Sequence, residues 1–368
     1  MSATPRIALI MAGGTGGHVF PALAVARVLR ERGLTPVWLG TERGMESKLV
    51  PQHRIEMEFI RVSGVRGKGM LTALLAPLHL LRAVWQAIKV LRRRQPVVVF
   101  GAGGFASGPG GIAAWLLRKP LVIHEQNAIA GMTNRWLSHL ARRVFEAFPN
   151  SFPRSAICVG NPVRREIAVL PAPAARFAGR NDAIRVLVLG GSQGAQRLNA
   201  LVPAALALLQ PAERPQVIHQ AGERNLAAAQ MGYRELNLEA DVRPFIDDMA
   251  GMYGWADLVV CRSGALTVSE LAAAGVASLL VPFPAAVDDH QTHNAQFLVQ
   301  AGAAVLIQER ELTAQRLADA LHNLCVQGRE HLLRMAERAR AHAIVDADVR
   351  IADGCMQLAQ PGLNRSAA

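Results

Sequence analysis

The chain has 368 residues, of which 51% are hydrophobic and only 5% aromatic, and its formal net charge is +12 at pH 7. This length is too great for one ordinary core and indicates two domains of about 150–200 residues each. A core rich in Ala, Leu and Val and poor in aromatic residues favours α/β layers over a β-sandwich.

The cysteines and the apolar runs exclude several classes of protein. The four cysteines have neither disulfide-framework nor metal-site spacing, and we interpret them as reduced thiols of a cytosolic protein. The first apolar run, 7–12, ends in glycines rather than in a cleavage site, so no signal peptide is expected. The uncharged run 97–117 contains six glycines and Pro109, so we predict no transmembrane helix there.

The N-terminal half opens with a strand, a glycine-rich turn, a helix and a second strand. We predict the first strand over 6–11, a helix from about Pro21 to Arg30 that Gly33 stops, and a strand over 36–39. The intervening GGTGGH turn suggests a nucleotide-binding fold, although such a loop is weak evidence alone. Glu42 is the only acidic residue just after the second strand, which argues against a Rossmann dehydrogenase.

A second glycine-rich turn, 101–111, is predicted between a strand at 97–100 and a helix at 112–117. The next strand, 121–124, runs into Glu125, Gln126 and Asn127. Polar residues at the carboxyl end of a parallel strand lie where open α/β sheets bind ligands. A structural cap for the following turn is the alternative interpretation.

The segment 61–94 contains eight basic residues and no acidic residue. This concentration of positive charge indicates that the segment binds an anionic surface. A helix is predicted from Pro77 to about Arg94, and we expect its Trp85 and Ile88 to pack on the sheet. Apolar residues ringed by basic ones are typical of an interfacial membrane site. The predicted membrane patch consists of Arg66, Lys68, Met70, Leu71, Leu74 and Leu75. Nucleic acid is the competing partner, but no aromatic interleaving or recognition motif supports it, so none is expected.

The second half repeats the pattern of the first after Pro171 and Pro173, which mark a connection between domains. Strands are predicted over 184–189, 217–219, 241–245, 258–261 and 278–281, with a glycine turn at 190–194 and a helix at 198–209. We therefore predict two doubly wound, Rossmann-like parallel-sheet domains, 1–162 and 163–344, facing each other across a cleft. A terminal helix at about 345–360 is expected to pack back on the first domain.

The stretch from Arg262 to Glu270 joins a buried strand to a helix through a Ser-Gly pair. Such a junction leaves the first helical N–H groups unpaired, which favours an anionic ligand. Glu270, one turn further, is placed to accept hydrogen bonds from sugar hydroxyls. The alternative is an ordinary capped helix with a first-turn glutamate. Repetition of this kind of junction along the chain favours the ligand site.

Seven motifs together resemble those of the MurG family, in that family's order and over nearly the whole chain. They are GGTGGHVFP at 13–21, GGFASGP at 103–109, HEQN at 124–127, GNPVR at 160–164, GGSQGA at 190–195, RSGALTVSE at 262–270 and DDHQ at 288–291. This resemblance implies a GT-B fold and an inverting transferase that moves GlcNAc from UDP-GlcNAc to undecaprenyl-pyrophosphoryl-MurNAc-pentapeptide (lipid I), giving lipid II in peptidoglycan synthesis. It also implies a peripheral position on the cytoplasmic face of the bacterial inner membrane, with anionic lipids and other cell-wall synthesis proteins as further partners.

The resemblance also implies roles for individual residues. By match of motif, the backbone of Ile246 would form hydrogen bonds with the uracil. The carboxylate of Glu270 would accept hydrogen bonds from the ribose hydroxyls. The phosphates would be held by Arg164, Ser192 and the turn Ala265, Leu266 and Thr267, with Val268 and Ser269 in the same donor-binding stretch. Asn127 and Gln291 would contact the donor or its GlcNAc, and Thr15, Gly16 and Gly17 would line the other side of the cleft.

Inverting transfer requires a base for the acceptor hydroxyl and charge stabilisation for the departing UDP. His18 is the candidate base because it follows the first glycine turn and imidazole titrates near neutral pH; a histidine that caps the turn is the alternative. Asp288, Asp289 and His290 suggest a metal site, but no second carboxylate motif accompanies them. No cofactor is therefore expected, and a divalent metal is not expected to be required.

Two other functional classes remain open at this point. One is another GT-B enzyme that uses UDP-sugars, such as a glycolipid glycosyltransferase or a UDP-GlcNAc 2-epimerase. The other is a nonenzymatic protein that binds a nucleotide sugar or a nucleic acid, which the charge permits and the paired motifs disfavour.

Overall fold

A computed structural model describes residues 5–62, 70–153, 155–190, 195–284 and 289–360, with the side chains of 70–75 excepted. The chain forms two compact units. Unit 1 comprises Met1–Pro162 together with Val345–Ala368, and unit 2 comprises Val163–Ile344.

Unit 1 begins with a parallel β-sheet wrapped by helices. Its strands are β1 (Ile7–Met11), β2 (Thr35–Gly40), β3 (Glu56–Phe59), β4 (Val98–Gly101), β5 (Leu121–Glu125), β6 (Arg143–Glu146) and β7 (Ile157–Cys158). The helices between them are α1 (Gly16–Glu31), α2 (Glu46–Gln52), α3 (Met70–Arg94), α4 (Ser107–Leu116) and α5 (Met132–Leu137). The strands pair in the order β3-β2-β1-β4-β5-β6-β7, and every pair is parallel.

Unit 2 repeats this plan with six strands. They are β8 (Arg185–Leu189), β9 (Gln216–Gln220), β10 (Asp241–Arg243), β11 (Leu258–Cys261), β12 (Ala277–Leu280) and β13 (Ala304–Leu306). The helices are α6 (Arg165–Ala168), α7 (Pro173–Phe177), α8 (Gln196–Leu208), α9 (Leu226–Glu235), α10 (Met249–Trp255), α11 (Ala265–Ala274), α12 (His290–Gln300), α13 (Ala314–Val326) and α14 (Gly328–Ala341). The parallel order is β10-β9-β8-β11-β12-β13. The predicted fold class, two doubly wound parallel-sheet domains, is confirmed.

The strands are apolar on both faces because helices cover both sides of each sheet. In β1, Leu9 and Met11 join a core with α3 and α4, whereas Ala8 and Ile10 join the opposite core with α1. A last helix, α15 (Ala347–Ala359), belongs to unit 1 and buries Ile351, Ala352 and Cys355 in that second core. The four cysteines are free thiols, and burial raises the pKa of Cys261 and of Cys355 to about 12.

The two sheets share one topological feature. In both sheets the first and fourth strands lie side by side, β1 beside β4 and β8 beside β11, so the strand order reverses there. Open α/β sheets bind ligands outside the carboxyl ends of strands at such a reversal. The loops at these points are the two glycine-rich turns of unit 1 and the junction from β11 into α11 in unit 2.

Two predicted helix starts were too late in the chain. Helix α1 begins at Gly16 rather than near Pro21, and Pro21 lies inside the helix as its sixth residue. Helix α4 begins at Ser107 rather than at 112, so Gly110 and Gly111 lie in a helix and not in a turn. A Cβ atom on Gly110 would lie 2.2 Å from Sδ of Met11, and one on Gly111 would lie 2.5 Å from Leu137. These glycines therefore allow close packing of the helix rather than a bend in the chain.

The predictions for α3 were wrong in two respects. Pro77 lies inside this 25-residue helix and does not begin it. Trp85, which we expected to pack on the sheet, is 56% exposed. Among the described residues, none of the helices has the combination of length and hydropathy required to cross a membrane.

Candidate active site

The two glycine-rich turns of unit 1 pack directly against each other at the carboxyl ends of β1 and β4. Gly104 has a φ of +85°, and a Cβ atom on it would lie 2.2 Å from the carbonyl oxygen of Gly13. The hydroxyl of buried Ser107 lies 2.9 Å from the carbonyl oxygen of Met11 and 2.7 Å from that of Gly103. Only glycine permits this approach of the two backbones, so the turns form one rigid surface.

Glu46 anchors the first of these turns from behind. Its buried carboxylate accepts hydrogen bonds from the backbone N–H of Gly14 at 3.1 Å, and from the N–H and hydroxyl of Thr41 at 3.0 and 2.8 Å. Glu46 is not recognisable from the sequence, because an acidic residue at the start of a helix is ordinarily a solvated first-turn charge. Its burial depends on contacts with residues that are distant in the sequence.

Helix α1 begins directly at this surface, with Thr15 as its N-cap residue. Gly16, Gly17 and His18 therefore form its first turn, and the N–H of His18 donates to the carbonyl of Thr15 at 3.1 Å. A Cβ atom on Gly103 would lie 2.9 Å from Nδ1 of His18, so the imidazole packs on the second glycine turn. The four residues predicted here are thus brought together at the positive end of a helix.

His18 is the outer member of a chain of hydrogen-bonded side chains. Its Nδ1 lies 2.9 Å from Oε1 of Gln126, and Nε2 of Gln126 lies 3.1 Å from Nδ1 of His124. Nε2 of His124 lies 2.9 Å from the carbonyl oxygen of Gly160. Burial lowers the pKa of His124 to about 4, the hydrogen bond to Gly160 opposing this shift and the charge of His18 adding to it. His124 is therefore neutral at neutral pH.

Asn127 is oriented by the buried carboxylate of Glu125 at the end of β5. Oε1 of Glu125 accepts from the backbone N–H and from Nδ2 of Asn127, at 3.0 and 3.1 Å. Its Oε2 accepts from the N–H of Gly131 at 3.1 Å and from Nδ2 of Asn134 at 2.9 Å. Glu125 therefore holds the segment after β5 in place, which is the structural alternative for the polar residues at the end of this strand.

In unit 2, the N-terminus of α11 is the predicted anion site. Gly264 is its N-cap residue, and no side chain caps the helix. The first intrahelical hydrogen bond runs from the N–H of Val268 to the carbonyl of Gly264 at 3.0 Å. The amides of Ala265, Leu266 and Thr267 precede that bond and have no carbonyl partner within the helix. Val268 itself is fully buried, and so it faces the core of unit 2.

Arg164 forms an ion pair with Glu270, which lies in this helix. Nε of Arg164 donates to Oε1 of Glu270 at 3.0 Å, and the hydroxyl of Tyr253 donates to Oε2 at 3.2 Å. Burial lowers the pKa of Arg164, but the charge and hydrogen bond of Glu270 more than reverse this and raise it. Burial and the Glu270 charge raise the pKa of Tyr253 well above its usual value. Tyr253 was missed in the sequence because no motif marks it.

The remaining predicted donor residues lie at separate points of unit 2. Ile246 is buried and lies in the segment that connects β10 to α10. The hydroxyl of Ser269 donates to the carbonyl of Ala265 at 3.0 Å. Gln291, in the first turn of α12, accepts from the N–H of Phe283 at 2.9 Å. Ser192 lies outside the described residues.

The predicted membrane patch falls where little of the structure is described. Arg66 and Lys68 lie outside the described residues, as do the side chains of Met70, Leu71, Leu74 and Leu75. The following turns of α3 expose Leu78, Leu81 and Trp85, at 63, 67 and 56%. The ammonium group of Lys89 lies 3.4 Å from the centroid of the Trp85 ring. An exposed apolar stripe bordered by basic residues is therefore present on this helix.

Within the part of the chain that the structure describes, no group of three or more His, Cys, Asp or Glu side chains is placed to bind a metal ion. Asp288, one of the three residues that suggested a metal site, lies outside that part.

Both halves of the chain match domains of one known family. The N-terminal domain of glycosyltransferase family 28 matches residues 8–146, and the C-terminal domain of the same family matches residues 185–351. A Marinobacter nauticus protein is 56% identical over 353 residues, covering 95% of this chain and 97% of its own. An Alkalilimnicola ehrlichii protein is 55% identical, covering 96% of this chain and 99% of its own. Both are named UDP-N-acetylglucosamine–N-acetylmuramyl-(pentapeptide) pyrophosphoryl-undecaprenol N-acetylglucosamine transferase.

Among solved structures, one is similar to this chain in both sequence and fold, and another is similar in fold only. Acinetobacter baumannii MurG superposes with a TM-score of 0.86 at 41% identity, covering 96% of this chain and 100% of that one. A UDP-GlcNAc 2-epimerase from Neisseria meningitidis superposes with a TM-score of 0.64 but is only 12% identical, covering 96% of this chain and 100% of its own, and so shares the fold alone. The resemblance seen in the sequence motifs is confirmed: this chain belongs to glycosyltransferase family 28 and, within it, to the MurG family.

Proposed function

We propose that this chain transfers GlcNAc from UDP-GlcNAc to the lipid-linked acceptor undecaprenyl-pyrophosphoryl-MurNAc-pentapeptide, giving lipid II for peptidoglycan synthesis. The observation that carries the proposal is identity of 52–56% over at least 95% of the chain to transferases that bear this one name. The 2-epimerase alternative has support only at the level of the fold.

Unit 2 holds the donor in this proposal. The amides of Ala265, Leu266 and Thr267 and the guanidinium of Arg164 bind the diphosphate, because helix N-termini and arginine both favour phosphate oxygens. Glu270 accepts the ribose hydroxyls. A carboxylate has about four lone-pair sites, so the contacts to Arg164 and Tyr253 leave acceptor capacity for a sugar. Ile246 receives the uracil through its backbone, and Asn127, Ser192 and Gln291 complete the donor contacts.

Unit 1 supplies the base. His18 takes the proton from the acceptor hydroxyl as that oxygen attacks the anomeric carbon, and the bond from that carbon to UDP breaks on the opposite side, which inverts the linkage. The negative charge that develops on UDP is stabilised by the α11 amides and Arg164, preorganised donors that need no metal ion. Divalent metal is therefore not required in this mechanism.

The exposed stripe on α3 supports a peripheral position of the chain on the cytoplasmic face of the inner membrane. Leu78, Leu81 and Trp85 enter the interface, while neighbouring basic side chains attract anionic lipid. Each basic residue near such a surface contributes about 1 kcal/mol, which is enough for reversible attachment when several act together. A lipid-linked acceptor requires this location.

The test is transfer of labelled GlcNAc from UDP-GlcNAc to a short-chain lipid I analogue, with and without EDTA. We expect a disaccharide product in both conditions. Incubation with UDP-GlcNAc alone is the companion assay: formation of UDP-ManNAc there, with no transfer to the analogue, would overturn the proposal in favour of an epimerase.

A further inference from the structure

We infer that Gln126 and His124 are positioning residues that hold His18 as the Nδ1–H tautomer, so that Nε2 presents its lone pair to the acceptor hydroxyl. The inference rests on the proposed role of His18 as the base. A base in this role requires a defined tautomer, because a neutral imidazole accepts a proton only at the ring nitrogen that carries no hydrogen.

Gly160 is the buried end of this row of hydrogen bonds, and it fixes the donor and the acceptor in each of them. The carbonyl of Gly160 can only accept, so Nε2 of His124, 2.9 Å away, carries the hydrogen. Since buried His124 is neutral at neutral pH, its Nδ1 is an acceptor, and the amide Nε2 of Gln126 donates to it at 3.1 Å. The amide oxygen of Gln126 can only accept, so His18 must be the donor to it. Nδ1 of His18, 2.9 Å from that oxygen, therefore carries the hydrogen.

The orientation of the Gln126 amide is fixed by a second contact. Its Nε2 also lies 3.3 Å from the backbone carbonyl oxygen of His124, so rotation of the amide by 180° would bring two oxygens together. The backbone at Gln126 is held as well, because Nδ2 of Asn161 donates to its carbonyl oxygen at 3.0 Å. Gln126 is 1% exposed and His124 is fully buried, so water does not compete for these positions.

The surroundings of His18 provide no rival partner for Nδ1 among the described residues. Glu125, the carboxylate next to Gln126 in the sequence, is occupied by Asn127, Gly131 and Asn134. The imidazole packs on Gly103, whose missing side chain leaves space for the ring. The tautomer of His18 is therefore set by a neutral amide rather than by a carboxylate, and the base gains orientation without a fixed negative charge beside it.

The first test compares two substitutions at His124 in the full-length protein. Glutamine can accept from Gln126 and donate to Gly160, as the histidine does, whereas leucine of similar volume can do neither. We expect His124→Leu to lower kcat by at least ~tenfold, which is part of the roughly 10²–10⁴-fold that general-base catalysis supplies, with the KM for UDP-GlcNAc unchanged. We expect His124→Gln to stay within about threefold of the wild type. Equal losses in both variants, or a loss in neither, would overturn the inference.

The second test observes the tautomer directly and does not depend on catalysis. Long-range ¹H–¹⁵N correlation spectra of protein labelled with ¹⁵N-histidine distinguish a protonated from an unprotonated ring nitrogen, and loss of signals in His18→Gln assigns them. We expect Nδ1–H for His18 in the wild type above pH 7. Gln126→Met should shift the population toward the Nε2–H form, while Gln357→Met, at an exposed partner of Arg143, should leave it unchanged. Thermal unfolding of each variant reports whether it is folded.

The outcomes distinguish a failure of His18 as the base from a failure of Gln126 and His124 as positioning residues. If His18 shows the Nδ1–H form in the wild type but His18→Ala retains activity, the proposed base is wrong and the tautomer assignment stands. If His18 shows the Nε2–H form, or if Gln126→Met leaves the tautomer unchanged, the positioning role is overturned whatever the base proves to be. A base held in the wrong tautomer is a severe defect, worth about 10⁴ in kcat in a serine protease.

Discussion

In unit 2, the guanidinium Nε of Arg164 donates to Oε1 of Glu270 at 3.0 Å, although the two residues are 106 positions apart in the sequence. The contact arises because α6, which follows Arg164 directly, packs against α11, which carries Glu270. The cation that we propose for the diphosphate is thus oriented by the carboxylate that we propose for the ribose. In the proposed mechanism, this one ion pair therefore links recognition of the nucleoside to stabilisation of the leaving group.

Replacing Glu270 by alanine is expected to raise the KM for UDP-GlcNAc by about tenfold or more, since a hydrogen bond to a charged group contributes about 1.5–3 kcal/mol. It also frees Arg164 and Tyr253, so kcat should fall as well. Steady-state kinetics with varied UDP-GlcNAc measure both quantities. Glu235→Ala, at an exposed position on α9, is the matched control and should change neither. An unchanged KM in Glu270→Ala would remove this residue from the donor site.

Loss of the His18 imidazole is expected to lower kcat by at least ~100-fold, the range in which general bases act. Donor binding should be unaffected, because His18 lies in unit 1 and the proposed donor contacts of the diphosphate and ribose lie in unit 2. Transfer kinetics and calorimetric titration with UDP test the two statements on the same His18→Ala preparation. His53→Ala, at an exposed histidine of unit 1, should match the wild type. A loss smaller than about tenfold would exclude His18 as the base.

Two glycines of unit 1 separate backbone strain from steric contact. Gly33 and Gly104 have φ values of +82° and +85°, but a Cβ atom meets nothing within 4 Å at Gly33 and would lie 2.2 Å from a carbonyl oxygen at Gly104. Gly33→Ala should lower the free energy of unfolding by about 1–2 kcal/mol and leave activity intact. Gly104→Ala should cost more stability and also abolish transfer, since it displaces the turn before His18. Urea unfolding and the transfer assay measure these effects; equal behaviour of the two variants would contradict the packing argument.

The sequence predicted the architecture well because its signals are local. Apolar strand segments and glycine turns are visible in any short window, and the β11–α11 junction was correctly located before Ala265. The errors involve tertiary contacts. Gly110 and Gly111 were assigned to a turn because their role as packing positions depends on Met11 and Leu137. Glu46 and Tyr253 were missed for the same reason, since their partners are fixed only by the fold.

Trp85 shows a different limit of sequence reasoning. Its helical spacing predicts an apolar stripe but does not distinguish a stripe that packs on the sheet from one that faces an interface. The structure resolves this, because Ala83, Ala87 and Leu91 form the buried face of α3 and Trp85 lies on the exposed face. The hydrogen-bond chain from His18 to Gly160 was likewise beyond the sequence, since HEQN and GNPVR are separated by more than 30 residues.

Acid should destabilise unit 2 through His219. Nε2 of this buried histidine donates to Oδ1 of Asn199 at 3.0 Å, and its Nδ1 accepts from the hydroxyl of Tyr233 at 2.9 Å. Burial lowers the pKa of His219 from 6.5 to about 4. Between pH 6.5 and 4 the unfolded chain therefore binds more protons than the folded one, so the free energy of unfolding falls as the pH decreases. The full shift corresponds to about 3 kcal/mol. Urea unfolding at several pH values should show a weaker pH dependence for His219→Gln, whereas the exposed control His342→Gln should keep the wild-type slope.

The exposed stripe of α3 should determine membrane attachment. Replacing Leu78, Leu81 and Trp85 together by serine removes apolar side chains that are each more than half exposed, so folding should be little affected. We expect the fraction that co-sediments with vesicles of anionic and neutral lipid to fall several-fold, while transfer to a short-chain acceptor in solution is retained. The control replaces three exposed apolar residues of unit 2, Met231, Leu236 and Val326, by serine.

The lipid composition of the vesicles separates the two contributions to attachment. Purely neutral vesicles should bind the wild type weakly, since the basic residues of α3 then have no charged partner, and raised salt should weaken binding to anionic vesicles. Binding that depends on neither anionic lipid nor the serine substitutions would contradict the membrane role of α3. If the same basic residues instead retained duplex DNA with comparable salt dependence while vesicles were ignored, the positive charge of this helix would belong to a nucleic-acid surface.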